Sequence, residues 1–250
     1  MKQILTACVV VLLSFGAARA AFAQTDPWLV LVSGSDVITW DGVTLTCTGG
    51  SCASFGVTDS VSNGGLNLTL IATSFNGWNV TADSGGSNAP GCSPDCMSQT
   101  SLNTNNTGGG SALQAFFGSS GFAHEVALLN IVAPTLNAGG FSNTGYDISS
   151  NQALTSLGYS AGAAPNLAAW TSIGGTLTFP SGNLTPQTSN SGLLAAGPFA
   201  ATSYLDFTGG NGSQYSVTDT IYAAVPEPAS LLLLGGCLLV VGRKLAARLV

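Results

Sequence analysis

Basic side chains are missing from most of this 250-residue chain. None of its five lysines and arginines lies between Gln24 and Ala224, a stretch that holds nine aspartates, one glutamate and the single histidine. Contacts to phosphates need a cationic surface, so nucleic-acid binding is excluded for this stretch. Salt bridges cannot hold its fold, and an anionic polysaccharide could be bound only through metal ions or hydrogen bonds. Its surface polarity must come from Ser, Thr, Asn and Gln, which is typical of extracellular proteins.

Catalytic side chains are equally scarce. A Ser-His-Asp arrangement would have to use His124, and no nucleophile elbow of the G-x-S-x-G type lies near it. We interpret His124 as a residue in or beside a strand, with Glu125 on the opposite side. A carboxylate pair could still hydrolyse glycosides, but no spacing singles out such a pair. We therefore predict that the protein is not an enzyme and has no catalytic residue.

Amphipathic helices are also rare, and short runs of alternating, β-branched or aromatic residues take their place. Ten runs are predicted to be strands: 28–32, 36–40, 43–47, 66–72, 75–81, 112–118, 123–133, 175–179, 203–209 and 214–224. We expect a long loop over 82–111 and one short helix within 151–170. The pattern has no fixed repeat, so it predicts a single antiparallel all-β domain over 24–224, of the β-sandwich type.

The first residues have the features of a secretory signal peptide. Lys2 precedes an apolar, helix-compatible run over 4–18, and Ala21 and Ala23 have the spacing that signal peptidase recognises. Cleavage is therefore predicted before Gln24. An uncleaved membrane anchor is the alternative, although the run is short for crossing a bilayer.

A second targeting pattern occupies residues 225–250. Pro226, Glu227 and Pro228 precede an uncharged apolar run over 231–242. Three basic residues then form a membrane stop: Arg243, Lys244 and Arg248. A recognition motif, an apolar run and a basic end in this order resemble the PEP-CTERM sorting signal of bacterial exported proteins. The run is shorter than the roughly 20 residues of a relaxed transmembrane helix, so a processed tail is favoured over an ordinary single-pass anchor.

The resemblance implies a route and a setting for the protein. It implies export, transient retention in the inner membrane by the hydrophobic tail helix, and recognition of Pro226, Glu227 and Pro228 by an exosortase-type membrane protease. Family members are associated with bacteria that make exopolysaccharide and biofilm matrix. The implied role is structural or adhesive, at the cell surface or in the extracellular matrix, with extracellular polysaccharide as a partner.

Four cysteines lie between the two targeting ends: Cys47, Cys52, Cys92 and Cys96. An even number in an exported chain indicates disulfides. The short spacings predict local pairs, Cys47 with Cys52 and Cys92 with Cys96, each contributing roughly 2 kcal/mol in the loop-closure model. A four-cysteine zinc site is the alternative, but structural zinc sites of this kind favour reducing compartments, so we predict no metal.

Two further patterns bear on ligand binding. The chain has four tryptophans: Trp28, Trp40, Trp78 and Trp170. Exposed in a row they would stack on sugars, which predicts a secreted carbohydrate-binding module as the alternative function; buried, they would belong to the core. Asp83 and Asp206 lie near turn residues and could offer oxygens to Ca²⁺, but neither run is a complete calcium loop, so no cofactor is predicted.

Replacing Glu227 with Ala tests the sorting motif. The variant should keep its apolar run and accumulate as precursor in the inner membrane, because the feature that a sorting protease reads is gone. Deleting 231–242 should instead release unprocessed protein into the periplasm, because each methylene buried in lipid stabilises insertion by about 0.8 kcal/mol. Fractionation and immunoblotting in the native host measure both. A wild-type tail that stays intact in the inner membrane, with an identical Glu227→Ala variant, would identify a plain anchor.

Overall fold

The computed structural model of the protein describes residues 28–40, 45–49, 55–62, 65–85, 95–108, 111–122, 127–148, 167, 170–193 and 199–224. Within these ranges lie fifteen strands: β1 Trp28–Ser33, β2 Asp36–Trp40, β3 Leu45–Thr48, β4 Phe55–Ser62, β5 Gly65–Phe75, β6 Trp78–Gly85, β7 Asp95–Asn106, β8 Leu113–Phe122, β9 Ala127–Asn137, β10 Phe141–Ile148, β11 Thr171–Ser172, β12 Leu177–Phe179, β13 Gln187–Leu193, β14 Phe199–Phe207 and β15 Gln214–Ala224. All fall within one compact unit, Ala23–Ala224.

The strands form two antiparallel sheets. One sheet has eight strands in the order β11-β10-β14-β8-β1-β2-β3, with β12 paired to β10, and the other has seven in the order β13-β9-β15-β7-β6-β5-β4. A single hydrophobic cluster takes buried side chains from both sheets. The sheets therefore pack face to face, which confirms the prediction of an antiparallel all-β fold of the sandwich type.

The opening hairpin shows why the local sequence patterns succeed. β1 and β2 pair from Leu29 with Trp40 to Ser33 with Asp36, so only two residues form the loop. Gly34 has a φ of 61°, a left-handed conformation that glycine adopts without steric cost. The hairpin predicted from the turn residues between two apolar runs is confirmed.

Large apolar side chains fill the space between the sheets. Trp78 and Tyr215 of the seven-stranded sheet are buried against the eight-stranded sheet, where Phe207 lies 4.8 Å from Tyr215 between ring centroids. Phe141 stacks on Phe179 at 4.5 Å, with the two rings 5° from parallel. Full burial of one such side chain stabilises the fold by about 1.5–3 kcal/mol, so this layer is the main source of stability.

The eight-stranded sheet is also covered on its outer face. A second cluster there contains Trp28, Phe116 and Trp170, and Phe116 stacks on Tyr204 at 4.7 Å. The Trp28 ring lies directly on Gly118, where an added Cβ atom would overlap the indole. Every residue of β1 is buried as a result, because both faces of this central strand are packed.

The long loop expected over residues 82–111 is wrong. β6 continues to Gly85, and β7 occupies Asp95–Asn106 in the middle of the seven-stranded sheet. The Asn residues of β7 have low strand propensity, but pairing with both β6 and β15 satisfies their backbone groups. Tertiary pairing thus overrides a composition that is typical of loops.

Several strand boundaries also differ from the prediction. The run 75–81 is interrupted, since Phe75 ends β5 and Trp78 begins β6 with a turn between them. Five strands were missed altogether: β4, β7, β10, β11 and β13. They are rich in Ser, Thr, Asn and Gly, so they lack the apolar alternation on which the prediction depended.

The remaining predictions on local structure fall largely outside the described residues. These are the signal peptide, the C-terminal apolar helix and most of the helix expected within 151–170, of which only Leu167 and Trp170 are described. Among the described residues there is no helix with the length and hydropathy needed to cross a bilayer.

A buried polar network joins the two sheets. Asn143 of β10 donates from Nδ2 to Ser203 Oγ of β14 at 2.8 Å and to Asp219 Oδ2 of β15, also at 2.8 Å. Its own Oδ1 accepts from Asn130 Nδ2 of β9 at 2.7 Å, and Ser203 donates to the same Asp219 oxygen. All four side chains are buried between the sheets. The network therefore ties β10 and β14 to β9 and β15 across the core.

Burial raises the pKa of Asp219 to about 6, although hydrogen bonds from Ser203, Asn143 and the Thr220 backbone lower it. No hydrogen bond of good geometry reaches its second oxygen, Oδ1. The stretch 24–224 contains no Lys or Arg that could neutralise the ionised form. Folding therefore favours the neutral form of the Asp219 carboxyl over the ionised form, relative to the unfolded chain.

Stability should accordingly fall as the pH rises. The folded-state pKa lies above the ordinary value of 3.8, so the contribution of Asp219 is fully present below pH 3.8 and is lost as the pH rises through about 6. The loss amounts to about 3 kcal/mol in unfolding free energy. Urea titrations between pH 3.5 and 7 should show this fall in the wild type, and the fall should be about 3 kcal/mol smaller in Asp219→Asn. The control Asp36→Asn, changed at a buried aspartate outside the network, should keep the wild-type fall; an unchanged slope in Asp219→Asn would contradict the assignment.

Candidate functional site

The outer face of the seven-stranded sheet carries two rows of side chains that run across its central strands. In the first row, the strand registers align Thr81 of β6, Asn103 of β7 and Ser216 of β15. Ile71 of β5 and Leu136 of β9 extend the row at its two ends. Alternate residues of a strand point to opposite faces, and the inward neighbours of these residues are buried, so the row lies on the outer face.

The second row is entirely amide. It aligns Asn79 of β6, Asn105 of β7 and Gln214 of β15, two residues along the strands from the first row. This separation corresponds to about 7 Å. Asn79, Asn103 and Gln214 are exposed and Asn105 is half-buried, so their amide groups can bond to a ligand.

These two rows line an open groove of about 350 Å³. All of the residues that line it are uncharged. The side chains of Ile71 and Leu136 are 50% and 41% exposed, respectively, and give the groove an apolar surface at each end. The arrangement thus presents neutral amide and hydroxyl groups between two apolar ends.

The turn between β5 and β6 fixes which residues face the groove. Asn76 and Gly77 have φ values of 46° and 85°, as in the type I′ turns that Asn-Gly pairs favour. The Ser74 amide donates to Asn79 Oδ1 at 2.9 Å, which holds Asn79 at the rim. On the inner side, the Trp78 indole donates to the backbone carbonyl of Ser111 at 2.8 Å. These contacts lock the register that places Asn79 outward and Trp78 inward.

The groove can recognise a neutral, hydroxyl-rich ligand. Amide groups both donate and accept hydrogen bonds, as sugar hydroxyls do, and each such bond contributes about 0.5–1.5 kcal/mol net. A polyanion is disfavoured, because the stretch 24–224 carries ten acidic side chains and no Lys or Arg. The groove thus combines neutral hydrogen-bonding capacity with a surrounding charge that disfavours anionic ligands.

All four tryptophans are buried. Trp40 and Trp78 belong to the cluster between the sheets, and Trp28 and Trp170 belong to the cluster on the outer face of the eight-stranded sheet. The largest exposed fraction among them is 9%, at Trp170. A tryptophan platform for sugar stacking is therefore wrong, and the core interpretation holds for each of the four.

The aspartates considered for Ca²⁺ do not lie together. Asp206 is half-buried in β14, where burial raises its pKa and a hydrogen bond with Tyr204 lowers it. Asp83 lies in β6, in the other sheet. Among the residues that the structure describes, no three His, Cys, Asp or Glu side chains form a group suited to a metal.

The structure leaves the other predicted sites as predictions. Cys47 lies in β3 and Cys96 in β7, whereas Cys52 and Cys92 lie outside the described residues, so neither local disulfide pair is tested. The same holds for His124 and Glu125, for the cleavage site at Ala21, Ala23 and Gln24, and for the whole tail. Its residues are Pro226, Glu227, Pro228, Arg243, Lys244 and Arg248.

The groove residues were not found from the sequence. Asn103 and Asn105 lay in the run interpreted as a loop, although Leu102 and Thr104 between and beside them supply an inward alternation. The signal available in the sequence was the alternation of Leu102 and Thr104 with asparagine over 102–105. It was weak, because two of the four residues are asparagines and the inward threonine is polar.

Comparison with known proteins adds no family. The sequence matches no family model, and no curated protein is significantly similar to it. One similar structure is tailspike protein 4 from bacteriophage CBA120, at 11% identity and a TM-score of 0.31. The match covers 67% of the present chain but spans only 19% of the tailspike. The present chain also matches the K1 cleaved adhesin domain of Lys-gingipain from Porphyromonas gingivalis at 14% identity and a TM-score of 0.33, covering 70% of this chain and 92% of that one.

A third similar structure is the family 11 carbohydrate-binding module from Clostridium thermocellum, with a bound tetrasaccharide. The identity is 9%, the coverage 80% of this chain and 98% of the module, and the TM-score 0.24. Similarity at this level does not identify a shared ligand. The groove is therefore interpreted from its own residues.

Quenching of tryptophan fluorescence tests the buried positions. Neutral acrylamide should quench the folded protein severalfold less than the urea-unfolded chain, because none of the four indoles is open to solvent. N-acetyltryptophanamide gives the reference for full exposure. Strong quenching of the folded protein would show that at least one indole is open to solvent, as a tryptophan platform requires.

Proposed function

We propose that this protein is an exported module of the cell surface or extracellular matrix that holds neutral polysaccharide in the groove of its seven-stranded sheet. The observation that carries the proposal is the uncharged groove itself, with amide and hydroxyl groups presented by adjacent strands between Ile71 and Leu136. Because the strands are paired along their length, the backbone positions that carry these groups are fixed before a ligand binds.

The buried tryptophans favour an adhesive role over a carbohydrate-binding module of the stacking type. Stacking on indole rings gives a sugar site much of its affinity, and no indole is exposed here. The groove would instead bind through several hydrogen bonds of modest strength. Many copies displayed on one surface would then hold a polymer by avidity, as a matrix protein requires.

The targeting ends support the same setting. In this proposal, residues 1–23 direct export, and Pro226, Glu227 and Pro228 are recognised by an exosortase-type protease while the tail rests in the inner membrane. The module then reaches the cell surface or matrix, where extracellular polysaccharide is its partner. It has no enzymatic activity in this role.

Affinity gel electrophoresis of the purified protein tests polymer binding. Gels would contain hydroxyethyl cellulose, glucomannan or galactan as neutral polymers and alginate as the anionic one. At least one neutral polymer should retard the protein, and retardation should persist in 0.5 M salt, since uncharged contacts are not screened. Alginate should leave its mobility unchanged.

Matched asparagine variants assign the binding to the groove. Asn103→Ala combined with Asn105→Ala should abolish most of the retardation, because both side chains lie on the central strand β7. Asn190→Ala is the control, since Asn190 is exposed on the edge strand β13 of the same sheet. Asn190 pairs with Leu129, which lies about 23 Å along β9 from Leu136, so the control lies far from the groove. Absence of retardation by every neutral polymer, or equal loss in the control, would overturn the proposed function.

A further inference from the structure

We propose that the groove binds a single extended polysaccharide chain that lies across the strands, with one sugar ring over each strand from β5 to β9. The inference rests on the proposed function and specifies the ligand of the same site. It follows from the spacing, the pairing and the chemistry of the two rows of side chains.

Spacing gives the direction of the chain. Neighbouring strands lie about 4.8 Å apart, which is close to the length of one pyranose ring in an extended glycan. The first row places one side chain on each of five consecutive strands, from Ile71 through Asn103 to Leu136. A chain lying across the strands would therefore meet an equivalent position at each sugar. A sugar chain lying along the strands would meet the two rows over only about 7 Å, the length of one or two sugars.

The two rows of side chains would contact the sugar chain on both sides. They are separated by about 7 Å along the strands, a gap that can hold one sugar chain between them. On β6, β7 and β15 each sugar would have one polar side chain on either side: Thr81 and Asn79, Asn103 and Asn105, Ser216 and Gln214. The three central sugars would thus receive most of the hydrogen bonds.

The ends of the groove differ in chemistry from its centre. Ile71 and Leu136 are half-exposed aliphatic side chains, and they would pack against the C–H faces of the terminal sugars. This packing adds apolar contact at the first and fifth positions without a hydrogen bond. The groove therefore favours chains of about five sugars over shorter ones, since shorter chains cannot reach both ends.

The absence of charge selects the polymer class. All side chains that line the groove are neutral, so a uronic acid or sulfated sugar would find no cationic partner there. An anionic chain would also be repelled by the acidic side chains of the body. The ligand class is accordingly a neutral polysaccharide.

A ladder of oligosaccharides tests the inference. Soluble oligomers of two to six sugars would be prepared from cellulose, mannan and galactan, and binding to the full-length protein measured by calorimetry, with oligoalginate as the anionic comparison. Affinity should rise about three- to tenfold for each sugar added up to about five and then level off. Oligoalginate of every length should fail to bind.

Two groove variants separate the ends from the centre. Ile71→Ala should weaken the five-sugar oligomer about threefold or more and leave the three-sugar oligomer unaffected, because a short chain can bind without reaching β5. Asn103→Ala should weaken oligomers of three or more sugars alike, because Asn103 lies at the centre. Asn190→Ala should change none of them.

The outcomes distinguish this inference from the proposed function. Equal affinity for two and six sugars would show recognition of a chain end, and would overturn the crossing chain while leaving polysaccharide binding intact. Loss of three-sugar binding in Ile71→Ala would also overturn it. Binding of oligoalginate in preference to all neutral oligomers would contradict a neutral polysaccharide as the ligand. If no oligomer and no neutral polymer bind, the proposed function itself is wrong.

Discussion

The lack of cationic side chains between Gln24 and Ala224 is the constraint on which the rest of this structure depends. No Lys or Arg of this stretch can pair with a carboxylate buried between the sheets; Asp219 is held by Ser203 and Asn143, and burial raises its pKa to about 6. Cohesion comes instead from apolar packing and neutral hydrogen bonds. The stability of such a fold depends on the protonation of this buried carboxyl group.

The two sheets differ in how their outer faces are covered. The eight-stranded sheet is packed on both faces around β1, where Trp28 lies on Gly118 and Trp170 joins the outer cluster. The seven-stranded sheet packs inward and leaves part of its outer face to solvent, where Asn103 and Gln214 are exposed. The asymmetry explains why the groove lies on one sheet only, since a face that is already covered cannot bind a polymer.

The proposed function has physical consequences for a matrix protein. Hydrogen bonds between amides and hydroxyls replace similar bonds to water, so each would contribute little and a single groove would bind weakly. Avidity across many displayed copies would multiply this affinity and still allow individual sites to exchange. The paired strands β6, β7 and β15 fix the backbone of the groove, which would reduce the entropy lost when a ligand binds. The proposed sorting tail would provide the display that such weak sites require.

Local physics made part of this protein predictable from its sequence. Alternation and turn chemistry predicted the β1–β2 hairpin, the strand β15 and the antiparallel all-β class, because each depends on neighbouring residues. The groove could not be predicted in this way. Asn79, Asn105 and Gln214 are distant in the chain and meet only because β7 pairs with both β6 and β15. The sequence alone determined the missing charge and the class of fold; tertiary pairing decided which neutral side chains share one face, because register is set by contacts between distant strands.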